Sequence, residues 1–308
     1  MRHTRALAAA GLALAAGIAG IAGTAATAVP ASADAPEGAY WRVESIRTSV
    51  HPRAVGSGYH LTQRNVSTHW SSPDGKGWSG YRDLGARPAT AKDEAAWRAD
   101  GSPTSWAYRT EGMKIRLSTA PGKGTLVAEK RPPGFRLGDE KYVSPQQLQS
   151  LPADADGLRT YLTADVDAWI DKAAREATTT DPKARKQDWL DRRDRYVAEE
   201  AVTLLYAVPA PDKVRAAAYQ VLRTTKGVDD LGDAKDPLGR SGRKLALPVL
   251  AGKGAVLRQQ YVVDTTAMTV LAEYTDLKDG GKPVLGKTGV TTITAAWTDD
   301  RLAAPRIP

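Results

Sequence analysis

Cysteine is absent from the 308 residues. That excludes a disulfide framework, a thiol nucleophile and lipid attachment through a cysteine, and a chain of this length can bury enough core to do without cross-links. Histidine is nearly as scarce. With His3 near the start set aside, only His51, His60 and His69 remain. His60 and His69 stand an odd number of positions apart, so on one regular strand they face opposite sides, and a three-histidine zinc centre would need a bulge or bend. No G-x-S-x-G elbow occurs, and Glu44, Asp83, Glu111 and Glu129 have no distinguishing context as paired carboxylates. No catalytic residues, metal ligands or cofactor are assigned on this basis, and the chain is expected not to be an enzyme.

Long apolar runs are confined to the start. "MRHTRALAAAGLALAAGIAGIAGTAATAVPASA" places Arg2 and Arg5 before an Ala/Gly/Leu/Ile stretch that ends in Ala31-Ser32-Ala33. The order of charge, apolar core and small-residue site is that of a secretory signal peptide over residues 1–33, with cleavage near Ala33. The alternative is an uncleaved membrane anchor, because the stretch is long enough to span. A secreted, extracellular location is expected, with no transmembrane segment in the mature form. The net charge is +8, yet "KARKQDWLDRRDRYVAEE" interleaves the two signs as a solvated helix face does. Such a charge suits loose attraction to anionic envelope polymers, and nucleic acid is not an expected partner.

What remains falls into three blocks. Residues 40–142 are rich in Thr, Ser, Trp, Tyr and Val and broken by "VGSG", "PDGKG", "APGKG" and "RPPG", the punctuation of antiparallel strands. Over residues 144–225 the period becomes helical, with Leu158, Leu162, Val166 and Ile170 on one stripe and Val214, Ala218, Val221 and Leu222 on another, and with Asp156 and Asp212 as helix starters. Residues 227–298 return to period two: Leu245, Leu247 and Val249; Leu257, Tyr261 and Val263; Met268, Val270, Ala272 and Tyr274; Ile293, Ala295 and Trp297. The pattern predicts a single α+β domain over residues 34–308. It would be a curved antiparallel sheet, an open half-barrel, with a helical block inserted between N- and C-terminal strand groups. The acidic run "VDDLGDAKDPLGR" departs from EF-hand spacing, and "DPLGRSG" reads as a hairpin connection.

Aromatic usage is skewed, with 8 Trp and 11 Tyr against a single Phe, Phe135. Rings with a polar tip suit a core, a groove rim or a glycan platform. Trp41, Tyr59, Trp70, Trp78, Trp106 and Tyr108 all fall in the first strand block and are the candidate ligand-binding residues. In "THWSSPDGKGWSGYRDLG", the Pro-Asp-Gly segment is a hairpin loop with Trp70 and Trp78 opposite each other and His69 on the other face.

Four segments carry a resemblance: Leu151 to Leu158, "LPADADGL"; Pro211 to Tyr219, "PDKVRAAAY"; Asp236 to Leu245, "DPLGRSGRKL"; and Arg258 to Thr266, "RQQYVVDTT". In these the chain resembles an actinobacterial extracytoplasmic family of unknown function, often associated with sigma factors. The resemblance implies an open half-barrel similar to that of the periplasmic lipoprotein carriers and the sigma-E regulatory sensor, with an apolar groove between sheet and helices. It implies no catalytic residues; many relatives are membrane-anchored, whereas this chain is expected to be fully released, without a cytoplasmic anti-sigma segment. The function expected is a secreted, non-enzymatic binding protein taking a lipid-like or apolar ligand, or a partner segment, in that groove. The alternatives are an envelope signalling or partner-docking module, and a cell-wall glycan-binding protein or hydrolase.

Overall fold

The first and last strands among the described residues lie side by side in the middle of one sheet. In the computed structural model, which describes residues 40–306 apart from 111, 139–140, 178–180, 253, 285–286 and 300–301, β1 (Tyr40–Val50) pairs β15 (Gly289–Thr298) from Tyr40↔Thr298 to Ser49↔Gly289. Residues 1–33, read above as a signal peptide, lie outside the described residues.

After β1 come β2 (Leu61–Ser71), β3 (Lys76–Pro88), α1 (Ala91–Ala99), β4 (Ser105–Thr110), β5 (Met113–Ser118), β6 (Thr125–Lys130), β7 (Phe135–Leu137) and β8 (Lys141–Val143). The helical block is α2 (Pro145–Gln149), α3 (Ala155–Glu176), α4 (Pro182–Leu190), α5 (Arg193–Tyr206) and α6 (Asp212–Thr224). Then follow β9 (Asp229–Lys235), β10 (Ser241–Ala246), β11 (Leu250–Gly252), β12 (Ala255–Asp264), β13 (Thr269–Asp279), β14 (Lys282–Pro283) and β15. The fold is α+β. An antiparallel, curved, 11-stranded sheet runs β6-β3-β2-β1-β15-β13-β12-β10-β9, with β11 on β12 and β14 on β13, and it does not close into a barrel.

Local chemistry sets the elements. The β2–β3 turn is tied by Ser72 N–H to the Lys76 carbonyl at 3.0 Å, and Gly75 takes φ +86, a conformation that suits glycine. Trp70 and Trp78 are direct cross-strand partners. Helix α2 starts with a capping box between Ser144 and Gln147. Asp154, rather than Asp156, caps α3 by accepting from Gly157 N–H at 2.8 Å, and α6 begins after Pro211 with no side-chain cap. Helix α1 lies inside the block read as strands; Thr90 caps it, and none of its residues is fully buried, so its sequence carries little apolar periodicity.

Register fixes which side chains share a face. The face carrying Trp41, Val43, Ile293 and Tyr261 packs against the helices, whose Leu158, Leu162, Ile170, Leu204, Leu205 and Leu222 are fully buried. A bulge between Val262 and Val263 turns Val270 to that core while Ala272 and Tyr274 join a cluster with Val262 and Leu271. The single run of period two expected over Met268 to Tyr274 is thus split between two faces. Likewise Leu245 and Leu247 are buried but Val249 is exposed, because β10 ends at Ala246.

Candidate functional site

The helix-facing side of the sheet is not uniformly apolar. At one end Trp41, Val43, Ile293, Ala295 and Trp297 lie under the helices. At the other, Tyr59, Leu61 and Ala86 lie under Trp106 and Leu117 of the β4–β5 hairpin. Between the two patches the inward positions turn polar. One row runs straight across neighbouring strands as Tyr261, Glu273, Thr291, Arg47, Asn65 and Asp83. Beside it run Gln259, Thr275, Gly289, Ser49 and Gln63 on one side, and Ile293, Ser45, Ser67 and Tyr81 on the other. Ser45, Ser49, Ser67 and Thr291 form a buried floor of small hydroxyls; Arg47, Asn65, Gln63, Asp83, Glu273 and Thr275 are half-buried.

Helix α5 supplies one wall. The Arg195 guanidinium is 2% exposed; it pairs with Glu199 at 2.8 Å and donates to the Pro248 carbonyl and the Gln259 Oε1. Gln259 passes the connection on by donating to Glu273 Oε1 at 2.8 Å, which also accepts from Thr275 Oγ1 at 3.1 Å and Tyr261 Oη at 3.4 Å. Burial pushes the Tyr261 hydroxyl well above its ordinary range, and the Glu273 charge adds to the shift. Arg47 lies over Thr291, and burial lowers its pKa against the opposing pull of Glu273.

The second wall carries His51. Tyr108 Oη lies 2.8 Å from His51 Nδ1, and Gln63 Oε1 lies 3.1 Å from Nε2. Gln63 in turn donates to Asp83. Burial lowers the His51 pKa, so the ring is neutral at pH 7; a proton on Nε2 lets it donate to Gln63 and accept from Tyr108. Among the described residues, the side chains of Ser45, Ser49 and Asn65 have no hydrogen-bond partner in the protein, although their neighbours are linked.

The six aromatic candidates fall in three places. Trp41 is 3% exposed and stacks edge-to-face on Trp297 at 5.6 Å, with its Nε1 donating to the Tyr206 carbonyl at 3.0 Å. Tyr59, Trp106 and Tyr108 do come together: Trp106 Nε1 donates to Tyr59 Oη at 2.9 Å, and Tyr108 reaches His51. Trp70 and Trp78 occupy the face away from the helices. There Trp78 meets the edge of Tyr40 at 5.3 Å, and Gly80 leaves room for Trp70 and the C-terminal Pro305 to pack over it.

The histidines are separated. His51 and His60 are near neighbours, with His60 Nδ1 3.2 Å from the His51 carbonyl, but His69 lies on β2 near Ser79 and Glu129. Among the described residues no three His, Cys, Asp or Glu side chains gather as a metal site would require. Ser79, His69 and Glu129 do not make a catalytic relay. Ser79 Oγ is 3.1 Å from His69 Nδ1 and also donates to Glu129, which lies 3.8 Å from the same nitrogen. A relay needs the imidazole between the two, one nitrogen to each.

The segments behind the family resemblance play structural parts. Leu151, Asp154 and Leu158 seat the start of α3; Arg215 ties the start of α6 to the Ala210 and Ala267 carbonyls at 3.0 and 3.2 Å. Asp236 and Arg240 close the β9–β10 turn, as the hairpin reading of "DPLGRSG" requires, while Asp229, Asp230 and Asp233 of the acidic run lie on β9 itself. Gly242 lies so close to β12 that a Cβ there would stand 2.5 Å from the Val263 carbonyl oxygen. Only "RQQYVVDTT" reaches the polar belt, through Gln259 and Tyr261. Compared with known protein families, characterised proteins and solved structures, the chain matches none. Among the described residues no helix is long and apolar enough to cross a membrane.

Arg47, Gln63, Asn65 and Glu273 were not singled out by the sequence. The available signal was the inward series of β1, Trp41, Val43, Ser45, Arg47, Ser49, which changes from apolar to polar halfway along the strand.

Proposed function

We propose that the chain is an extracytoplasmic, non-enzymatic binding protein whose ligand lies along the polar belt between the helices and the β4–β5 hairpin. One observation carries this reading: hydrogen-bonding side chains occupy inward positions of β15, β1 and β2, the central strands of the sheet. A face used only as core favours apolar residues there, since a polar group withdrawn from water without a partner costs about 1–3 kcal/mol. Ser45, Ser49 and Asn65 offer hydroxyl and amide groups that the protein leaves unbonded among the described residues. The leader-like order of residues 1–33 supports a setting outside the cytoplasm.

The family resemblance also puts a ligand between sheet and helices, and there suggests an apolar one. Here the protein's own Leu204, Leu205 and Leu222 fill the apolar part, which favours a ligand rich in hydrogen-bonding groups on the belt. Native mass spectrometry of the chain secreted from an expressing host tests this. A retained ligand should be present in the wild type and absent from Arg47→Met and Asn65→Leu variants of unchanged melting temperature; equal retention in all three would refute the site.

A second reading has its own observation. Edge strand β6 is exposed along nearly its whole length, with Val127 60% and Leu126 36% exposed. An extended segment of an envelope partner could add to that edge by strand pairing.

A further inference from the structure

We infer that the ligand of the polar belt is an uncharged oligosaccharide, with Tyr81 as its stacking platform; this rests on the binding reading above. Tyr81 lies directly opposite Ser67 on β2 and two positions before Asp83 on β3, so its ring shares the belt's face. At 39% exposure it is among the few large apolar side chains of the molecule left open, and it stands where the belt passes beyond the helices toward the edge strand β6. A tyrosine ring there presents an apolar face to the C–H side of a sugar while its hydroxyl remains hydrated.

The polar groups match the same chemistry. Arg47, Gln63, Asn65 and Asp83 each end in a planar, forked group, and such forks pair with adjacent hydroxyls as they pair with carboxylates and amides. The belt's cation is already opposed within the protein, since Arg47 feels Glu273, and Asp83 adds a second carboxylate that accepts from the neutral Gln63 amide. A polyanion would lack an uncompensated cation row, and an acyl chain would strand the hydroxyl floor. A peptide main chain seeks a sheet edge, whereas the backbone groups beneath the belt are spent in the ladders of β1, β2 and β15. From β13 to β3 the belt crosses four strand spacings, about 19 Å at about 4.8 Å each, long enough for several sugar rings in line.

Titration of the full chain with cellotetraose and with chitotetraose, followed by calorimetry and by amide chemical-shift changes, tests the inference. The expected result is saturable binding of at least one of them. Tyr81→Ala and Asn65→Ala should each weaken it about tenfold or more, whereas Tyr81→Trp should retain it. Tyr81 is exposed enough that its substitution should leave the melting temperature within about 2 °C. Binding that survives Tyr81→Ala unchanged would overturn the platform. Failure of both sugars to bind, while Arg47→Met still strips a retained non-carbohydrate ligand, would overturn the oligosaccharide and leave the belt as a binding site. Failure of both sugars with no retained ligand in any preparation would overturn both readings.

Discussion

Asp236 and Arg240 close on each other across the β9–β10 turn, with Arg240 Nε 2.7 Å from Asp236 Oδ2. The same guanidinium donates to the Leu271 carbonyl at 2.8 Å and the Ile293 carbonyl at 3.1 Å, so it bridges β13 and β15 where their ladder stops. The Asp236 carboxylate has no exposed surface, and its Oδ1 accepts from the N–H groups of Leu238 and Arg240. Arg240→Met leaves a buried carboxylate and two carbonyls without this donor. It should cost about 3–5 kcal/mol in urea unfolding, and a paired Asp236→Asn change should recover part of the loss.

Trp41→Phe removes one hydrogen bond, from Nε1 to the Tyr206 carbonyl, while keeping most of the ring's burial. It should destabilise by about 1–2 kcal/mol, and Trp41→Ala by about 3–5 kcal/mol through the added cavity. Thermal and urea unfolding of the two variants should separate in that order.

His51 sets a pH dependence. Its folded pKa lies below the ordinary 6.5, with desolvation the main cause, so the unfolded chain takes up a proton at a pH where the folded chain does not. Stability should therefore be undiminished by this group above about pH 7 and should fall as pH drops through 6.5 toward the folded pKa. His51→Gln should flatten the melting-temperature profile between about pH 7 and pH 5 relative to wild type.

Gly242→Ala should be costly for a steric reason. A Cβ at that position would stand 2.5 Å from the Val263 carbonyl oxygen and 2.9 Å from Val262 Cγ1, beside the Arg243–Val263 pair that ends the β10–β12 ladder. The loss should be about 1–3 kcal/mol in chemical denaturation. Ala at Gly58, where nothing lies within 4 Å but φ is +106, separates crowding from backbone conformation.

The layout of strands, helices and strands was legible because each block has its own apolar period, and the Trp70–Trp78 pairing because a Pro-Asp-Gly turn fixes the hairpin count. Helix α1 was not legible, since a helix lying on the surface has no stripe to betray it. The split of Val270 from Ala272 and Tyr274 depends on a bulge with no glycine or proline to mark it. The aromatic candidates drew attention by type, yet type does not say which face a ring occupies; Trp41 and Trp70 take opposite faces of one sheet. The belt was hidden for a different reason. Arg47, Asn65 and Glu273 are each ordinary in their own strand and become a row only once β1, β2, β13 and β15 are laid in register.

Strand β15 has a consequence for how the molecule is made. It alone joins the β6-β3-β2-β1 half of the sheet to the β13-β12-β10-β9 half. Because it is also the last strand among the described residues, neither half has its neighbour until synthesis has passed residue 298. Its pairing with β1 joins residues 40–49 to residues 289–298, so loop-closure entropy puts that step late and slow. A chain emerging from its amino end therefore stays open along its centre until β15 arrives, and a premature stop before Gly289 would leave two unpaired edges in place of a shortened protein.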